Sequence, residues 1–310
     1  MTGNGMRIHI VMNIHAGTLR GGDPRRIAEQ VVTAFTDAGH EVSIDLASGP
    51  QLRDRLVAAA KRNDIDVLVA GGGDGTVSTA AGLLKGSPIA LGILPGGTMN
   101  MYARTLRLPI DMVAAAKALA HGEVLAVDGA TAGGHLFLHQ ISFGIQPHAI
   151  RRREQMRYGS RIEKIIASMR SVLATLRDPP QFTVEVVLDG DPRLLSTSAL
   201  AVSNNVYGDD HLPYADQPDG GVLGIYAATS TSWSDLAEIG AALVLGGWKN
   251  HPKIVVETAR RVRIKPLHRH RHRGLLASID GETTRFHGDI EIAIHPKTVK
   301  ILAPAEAIAA

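Results

Sequence analysis

The sequence predicts an N-terminal α/β domain on a parallel sheet, followed by a mostly antiparallel β-sandwich. Three observations predict it. Up to Ala120, short apolar strands alternate with helical periodicity. Two glycine-rich loops, at 71–76 and 95–100, each follow such a strand and open a helix. After Glu123 the alternation gives way to one strand after another.

In order, Met1 to Gly5 reads as a loose leader and Arg7 to Asn13 as the first strand. Pro24 starts a helix through Ile27, Val31, Val32 and Phe35, because proline suits a first helical position, and Gly39 ends it. Val42 to Leu46 is a strand, Gln51 to Lys61 a helix, and Ile65 to Ala70 a strand running into Gly71, Gly72 and Gly73. A helix with Ala80, Ala81, Leu83 and Leu84 follows, then a strand from Ile89 to Leu94. Pro-Gly-Gly-Thr-Met-Asn at 95–100 precedes a helical segment with Ala103 and Leu106, and Asp111 caps a helix to Ala120. Such alternation implies ligands at the carboxyl ends of the strands.

The second part reads as strands at 124–131, 136–143, 182–188, 197–203, 222–228, 254–258, 261–265, 275–279 and 290–294. Alternation is visible at Phe182, Val184 and Val186. Helices interrupt at about 151–176 and 233–245. The domains divide as 1–123 and 124–298, with 299–310 rejoining the first.

Composition narrows the function classes. The 310 residues are 45% hydrophobic and carry no cysteine, so disulfides and thiolate metal sites are excluded and a cytoplasmic location is expected. No apolar run of about 18 residues offers a bilayer span, which makes any membrane contact peripheral. With 4% aromatic residues there is no stacking platform, so nucleic acid is not an expected partner.

The two glycine loops carry the chemistry. Glycines let a backbone approach a ligand closely, and a helix N-terminus favours an anion, most often phosphate. Asp74 would be repelled by phosphate unless a cation or a reacting proton lies between them, so the pattern suggests phosphate chemistry rather than docking alone. The loops are neither a Walker A motif, lacking Gly-Lys-Ser/Thr, nor a dinucleotide fingerprint, lacking the third spaced glycine.

Gly-Gly-Asp-Gly-Thr at 72–76, Pro-Gly-Gly-Thr-Met-Asn with Ala103 and Arg104, and Asp280-Gly281-Glu282 together resemble the diacylglycerol kinase catalytic family, which includes bacterial lipid kinases and sphingosine kinases. The resemblance implies a fold similar to NAD kinases and an ATP-dependent lipid kinase acting at the inner membrane face. It implies that Gly71, Gly72, Gly73, Asp74, Gly75, Thr76, Val77 and Thr98 hold ATP phosphates. Asn13 and Gly17 would lie near the nucleotide, with Asn100 close to the reacting centre. Asp74 would organise catalytic Mg2+ and Glu282 would be the general base on the lipid hydroxyl. Pro213, Ala215, Asp219, Gly220 and Leu223 resemble a structural divalent-cation segment, implying Asp219 with main-chain oxygens of Asp216 and Gly221 as ligands. On its own, Asp280-Gly281-Glu282 also reads as a hairpin turn with an exposed Glu.

The pattern departs from the family at three places. Met101 stands where many bacterial members have Asp, Ser78-Thr79 replaces Asn-Glu, and Gln146-Pro147 replaces an acid after Gly144. In 151–176, Arg153, Arg157, Arg161 and Lys164 flank a stripe of Tyr158, Ile162, Ile165, Met169, Val172 and Leu176. That pattern fits either a solvated face over packed apolar residues or attachment to an anionic membrane surface. The tract His268 to Arg273 could bind phosphate headgroups. The rival readings are a soluble kinase of the NAD kinase type and a non-catalytic lipid- or nucleotide-binding protein; a homodimer is compatible with all three.

Overall fold

The computed structural model describes residues 5–17, 23–155, 161–209, 211–230, 232–267, 274–304 and 307. The chain divides into two compact units. One comprises Met1–Gly129, Gln217–Asp219 and Pro296–Ala310, the other Ala130–Asp216 and Gly220–His295.

The first unit contains β1 (Arg7–Asn13), α1 (Pro24–Thr36), β2 (Glu41–Ala47), α2 (Gly49–Ala60), β3 (Val67–Gly72), α3 (Asp74–Leu83), β4 (Ala90–Pro95), α4 (Met101–Thr105) and α5 (Met112–Leu119). Strands β2, β1, β3 and β4 are parallel neighbours in that order. Helices α1 and α5 pack together, as do α2 and α3. All six residues of β3 and all six of β4 are buried, as expected where helices cover both faces of a parallel sheet. Asp23 and Asp111 cap α1 and α5 by accepting backbone N–H bonds, which satisfies donors the helices leave open. β3 runs two residues further than its apolar pattern, because Gly71 and Gly72 keep register with Leu94 and Pro95.

The strand β5 (Glu123–Ala132) leads out of the first unit. The second unit then has β6 (His135–Phe137), β7 (Gln140–Gly144), α6 (Ile145–Glu154), α7 (Arg161–Arg177), β8 (Phe182–Leu188), β9 (Asp191–Thr197), β10 (Ala199–Asn204), β11 (Leu223–Ala228), α8 (Trp233–Leu245), β12 (Ile254–Ala259), β13 (Arg261–Pro266), β14 (Leu275–Ile279), β15 (Glu282–Phe286) and the start of β16 (Ile290–Ala303). An antiparallel sheet in the order β12-β11-β10-β7-β14-β15 forms one layer. Strands β9, β8, β13 and the first residues of β16 pair antiparallel in the other. One core joins them, with Ile141, Phe143, Val202, Ala277, Val184, Val262, Ile264 and Ile292 all fully or nearly fully buried. Burying one such side chain contributes about 1.5–3 kcal/mol relative to exposure.

Several expected elements differ in extent. The run 136–143 is two strands, because the N–H groups of Leu138 and His139 turn to the Asp280 carboxylate, at 2.9 and 3.0 Å. The strand expected at 197–203 is preceded by β9, which closes a hairpin on β8 through Asp189 and Gly190, both with positive φ. Asp280 and Gly281, also at positive φ, make the second two-residue hairpin and create β15, which was not expected as a strand. The segments 290–294 and 299–302 are one strand, with Lys297 at positive φ within it; its later residues pair parallel with β4 at Ile301.

The helix expected at 151–176 is two, α6 and α7. Among the described side chains of α7, Ala167, Ser171 and Thr175 are buried, with the hydroxyls of Ser171 and Thr175 donating to carbonyls one turn back, while Ile166, Val172 and Leu173 are exposed. Val172 therefore lies off the packed face, although Leu176 packs beside Leu236 and Ile239 of α8. Of the basic set, Arg157 lies outside the described residues, as do the side chains of Arg161 and Lys164 and the whole tract 268–273. No described helix is long and apolar enough to cross a membrane.

Candidate functional site

In the first unit, the carboxyl ends of β1, β3 and β4 bring three segments together. Gly96 N–H donates to the Gly72 carbonyl at 2.7 Å, binding the second loop to the first. A Cβ on Gly96 would lie 2.5 Å from Met112 Cε and 2.7 Å from Ala16 Cβ, so the turn after β1 abuts the same point. A Cβ on Gly97 would lie 2.9 Å from Gly73 Cα, and one on Gly17 would reach 3.5 Å from the Gly96 carbonyl oxygen. Of the predicted nucleotide residues, Asn13, Gly17, Gly71 to Thr76, Thr98 and Asn100 thus belong to this corner. Asn13 Oδ1 accepts the His15 N–H at 3.0 Å, and Thr98 is exposed at the loop tip. Val77 sits deeper than expected for a phosphate contact: it is buried, and its N–H, like that of Thr76, is taken by the Gly73 carbonyl. A Gly97→Ala variant is expected to lose about 1–3 kcal/mol of stability, because backbone meets the added methyl; thermal melting checks this.

Asp74, the first residue of α3, organises the corner. Its carboxylate accepts Asn100 N–H at 3.1 Å and Met101 N–H at 2.8 Å, one on each oxygen. Asn100 is buried in the left-handed region (φ 50°), and its side-chain amide holds Gly97, accepting from its N–H at 2.7 Å and donating to its carbonyl at 3.0 Å. Burial raises the Asp74 pKa above the ordinary carboxylate value, opposed by the backbone N–H groups of Met101, Asn100 and Asp74 itself and by the Arg104 charge. Half-buried in total, the Asp74 carboxylate has more acceptor sites than backbone donors on it. Met101 fills its place as a core side chain, 7% exposed.

In the second unit, Glu282 is the first residue of β15 and is exposed. The hairpin reading of 280–282 thus describes its backbone, and Asp280 is the residue that reading missed. Only 6% exposed, Asp280 gathers the N–H groups of Leu138, His139 and Gln140 on its carboxylate, and its own N–H donates to the Gln140 carbonyl. The Asp-Gly pair signals the turn, but nothing local signals bonds to residues 140 positions away. Asp280→Ala is expected to cost about 2 kcal/mol by stranding buried donors, read from denaturant midpoints.

The expected structural cation site gains little from side chains. Asp216 pairs with His211 Nε2 at 2.7 Å, and the Gly221 N–H donates to Asn205 Oδ1 at 3.0 Å. Asp219, which belongs with the first unit, is exposed. Among the described residues no group of three or more His, Asp or Glu side chains could hold a metal.

Residues 7–132 match the family model of the diacylglycerol kinase catalytic domain, and residues 139–303 match that of the YegS C-terminal NAD kinase β-sandwich-like domain. The chain belongs to the diacylglycerol kinase catalytic family. Within this family it is 26% identical over 236 residues to a diacylglycerol kinase of Staphylococcus aureus, covering 72% of this chain and 70% of that one. It is 23% identical over 270 residues to that of Staphylococcus carnosus, covering 83% of each. A crystal structure of a diacylglycerol kinase from Bacillus anthracis superimposes with a TM-score of 0.72 over 97% of this chain and 98% of the other, at 20% identity, a likeness of fold. The expected architecture, an α/β domain with a parallel sheet followed by an antiparallel sandwich, is the one found.

Proposed function

We propose that the protein is an ATP-dependent lipid kinase that transfers the γ-phosphoryl group to a lipid hydroxyl, with diacylglycerol or a related lipid as acceptor. The Asp74 carboxylate, which joins the end of β3 to the loop after β4 by accepting the Asn100 and Met101 N–H groups, supports the reading most directly in a chain of this family. The start of α3 follows the glycines that admit a phosphate, with the Thr76 and Val77 N–H groups already held by Gly73, and Thr98 adds a hydroxyl at the loop tip. Mg2+ in phosphoryl-transfer sites is held by one or two carboxylates plus phosphate oxygens and water, so the Asp74 carboxylate, with acceptor sites to spare, fits it. When bound, the ion neutralises charge on the transferring phosphoryl group. Glu282, exposed and carboxylate-bearing, is the proposed base that takes the proton of the attacking hydroxyl. Phosphoryl transfer then rests on positioning and charge, with no covalent enzyme intermediate.

Exposed apolar side chains on α7 and α8, Ile166, Val172, Leu173, Trp233 and Leu245, favour a peripheral membrane partner over a freely soluble acceptor. The test is labelled ATP with magnesium and a total lipid extract, followed by identification of the labelled species. Label in a lipid phosphate monoester is the expected result. Label transferred to NAD, or to nothing in the extract, would overturn the reading.

A further inference from the structure

The nucleotide corner also holds a cation. Arg104 lies near the end of α4, a short helix whose start is tied to Asp74 through the Met101 N–H. Side chains on a helix lean toward its N-terminus, and Arg104 does so. Its Nε donates to the Met99 carbonyl at 3.0 Å, in the loop before the helix. The guanidinium is therefore carried back from α4 to the tip of the second glycine loop, where Thr98 and Met99 are exposed.

That bond uses the Nε donor. Both terminal nitrogens of the guanidinium remain without a hydrogen-bond or ion-pair partner among the described residues. The charge of Arg104 nevertheless reaches Asp74, where it favours the ionised carboxylate without a direct bond. Arg104 is thus anchored on one side and open on the other, within the field of the residue that organises the corner.

The neighbouring sequence explains why the group is open. An acid at position 101 would stand three residues before Arg104, a spacing at which helical ion pairs form. Met101 is 7% exposed and brings no charge. The Asp74 carboxylate meanwhile adds negative charge to a site that has to take a polyphosphate, which gives a fixed cation beside it a task. A planar guanidinium matches two oxygens of one phosphate.

We infer that Arg104 binds the terminal phosphates of the nucleotide through its free Nη groups, setting a permanent positive charge against the phosphoryl group to be transferred. The inference rests on the lipid-kinase reading and adds a phosphate-binding residue to its nucleotide site.

The experiment measures equilibrium binding of ATP and of AMP, with magnesium and without lipid, alongside transfer of labelled phosphate to the lipid extract. The wild-type chain is expected to prefer ATP. Arg104→Gln should weaken ATP binding by about tenfold or more and leave AMP within about twofold, because the charged hydrogen bonds are lost only where a terminal phosphate stands. Arg104→Lys keeps the charge without the fork and should lose roughly threefold for ATP. The salt dependence of ATP affinity should flatten in Arg104→Gln and persist in Arg104→Lys. A residue that only held the Met99 carbonyl would weaken ATP and AMP alike. An unchanged ATP-to-AMP ratio in a folded Arg104→Gln variant overturns the inference; should that variant not fold, the ratio in Arg104→Lys decides in the same way. A wild-type chain that does not distinguish ATP from AMP overturns it too. The predicted ratios without labelled lipid uphold the inference and overturn the lipid-kinase reading, whereas labelled lipid with an unchanged ratio does the reverse.

Discussion

Asp74→Asn is expected to lower phosphoryl transfer by about a hundredfold or more while weakening the fold of the nucleotide corner. The carboxylate has two tasks in this geometry. Each oxygen accepts one backbone N–H, from Asn100 and from Met101, and the same carboxylate supplies the negative charge proposed to hold the cation. An asparagine can satisfy only one of those donors; its NH2 would oppose the other, a loss of about 1–3 kcal/mol. It also withdraws the charge a cation needs. The variant should therefore show a reduced melting temperature together with reduced turnover. Glu282→Gln should lose turnover by a comparable factor with little change in melting, since Glu282 is exposed at a strand end. A full-rate Asp74→Asn enzyme would remove Asp74 from the mechanism. Magnesium binding has a pH signature too. Because burial raises the Asp74 pKa in the metal-free protein, magnesium affinity should begin to weaken at a pH above that of an ordinary aspartate, 3.8, as protons compete for the carboxylate. The linked effect on stability has the opposite sign to that of a salt-bridged carboxylate. The folded state binds the Asp74 proton more tightly than the unfolded chain, so its contribution declines as pH rises from 3.8 through the raised value.

His139 should give the largest acid-dependent loss of stability. It is 9% exposed, lies between the Asp280 bonds and the Tyr207 ring, and burial lowers its pKa from 6.5 to about 3. Between those values the unfolded chain takes up a proton that the folded state refuses. Stability from this residue is therefore complete above pH 6.5 and falls as pH drops toward 3, by about 1.4 kcal/mol per unit well inside the window. At pH 4.5 the loss is on the order of 2–3 kcal/mol relative to neutral pH. Urea unfolding at pH 7.5 and pH 4.5 measures it. His139→Leu is expected to lose stability at neutral pH yet show a flatter pH dependence. An equal slope in both proteins would mean that other groups carry the acid sensitivity.

Much of the architecture was legible in the sequence. The strands β1, β3 and β4 are apolar runs ending in glycine or polar turns, and Pro24 and the Asp111 cap mark the starts of α1 and α5. Elements whose identity depends on remote partners were harder to read. β15 is Glu-Thr-Thr-Arg-Phe, polar throughout its first four residues, and becomes a strand only by pairing with β14. Of the apolar stripe read over 151–176, Leu176 packs and Val172 is exposed, while Tyr158 and the side chains of Ile162, Ile165 and Met169 lie outside the described residues.

The site divides the same way. Glycine spacing after a strand, and a lone acid within it, mark a phosphate corner because backbone conformation and helix-end charge are local properties that residue types dictate. Asp74 could be singled out from the sequence alone for that reason. What Asp74 holds, and what Asp280 holds, follows only from the fold: their hydrogen-bond partners lie 26 and 27, and 140 to 142, positions away.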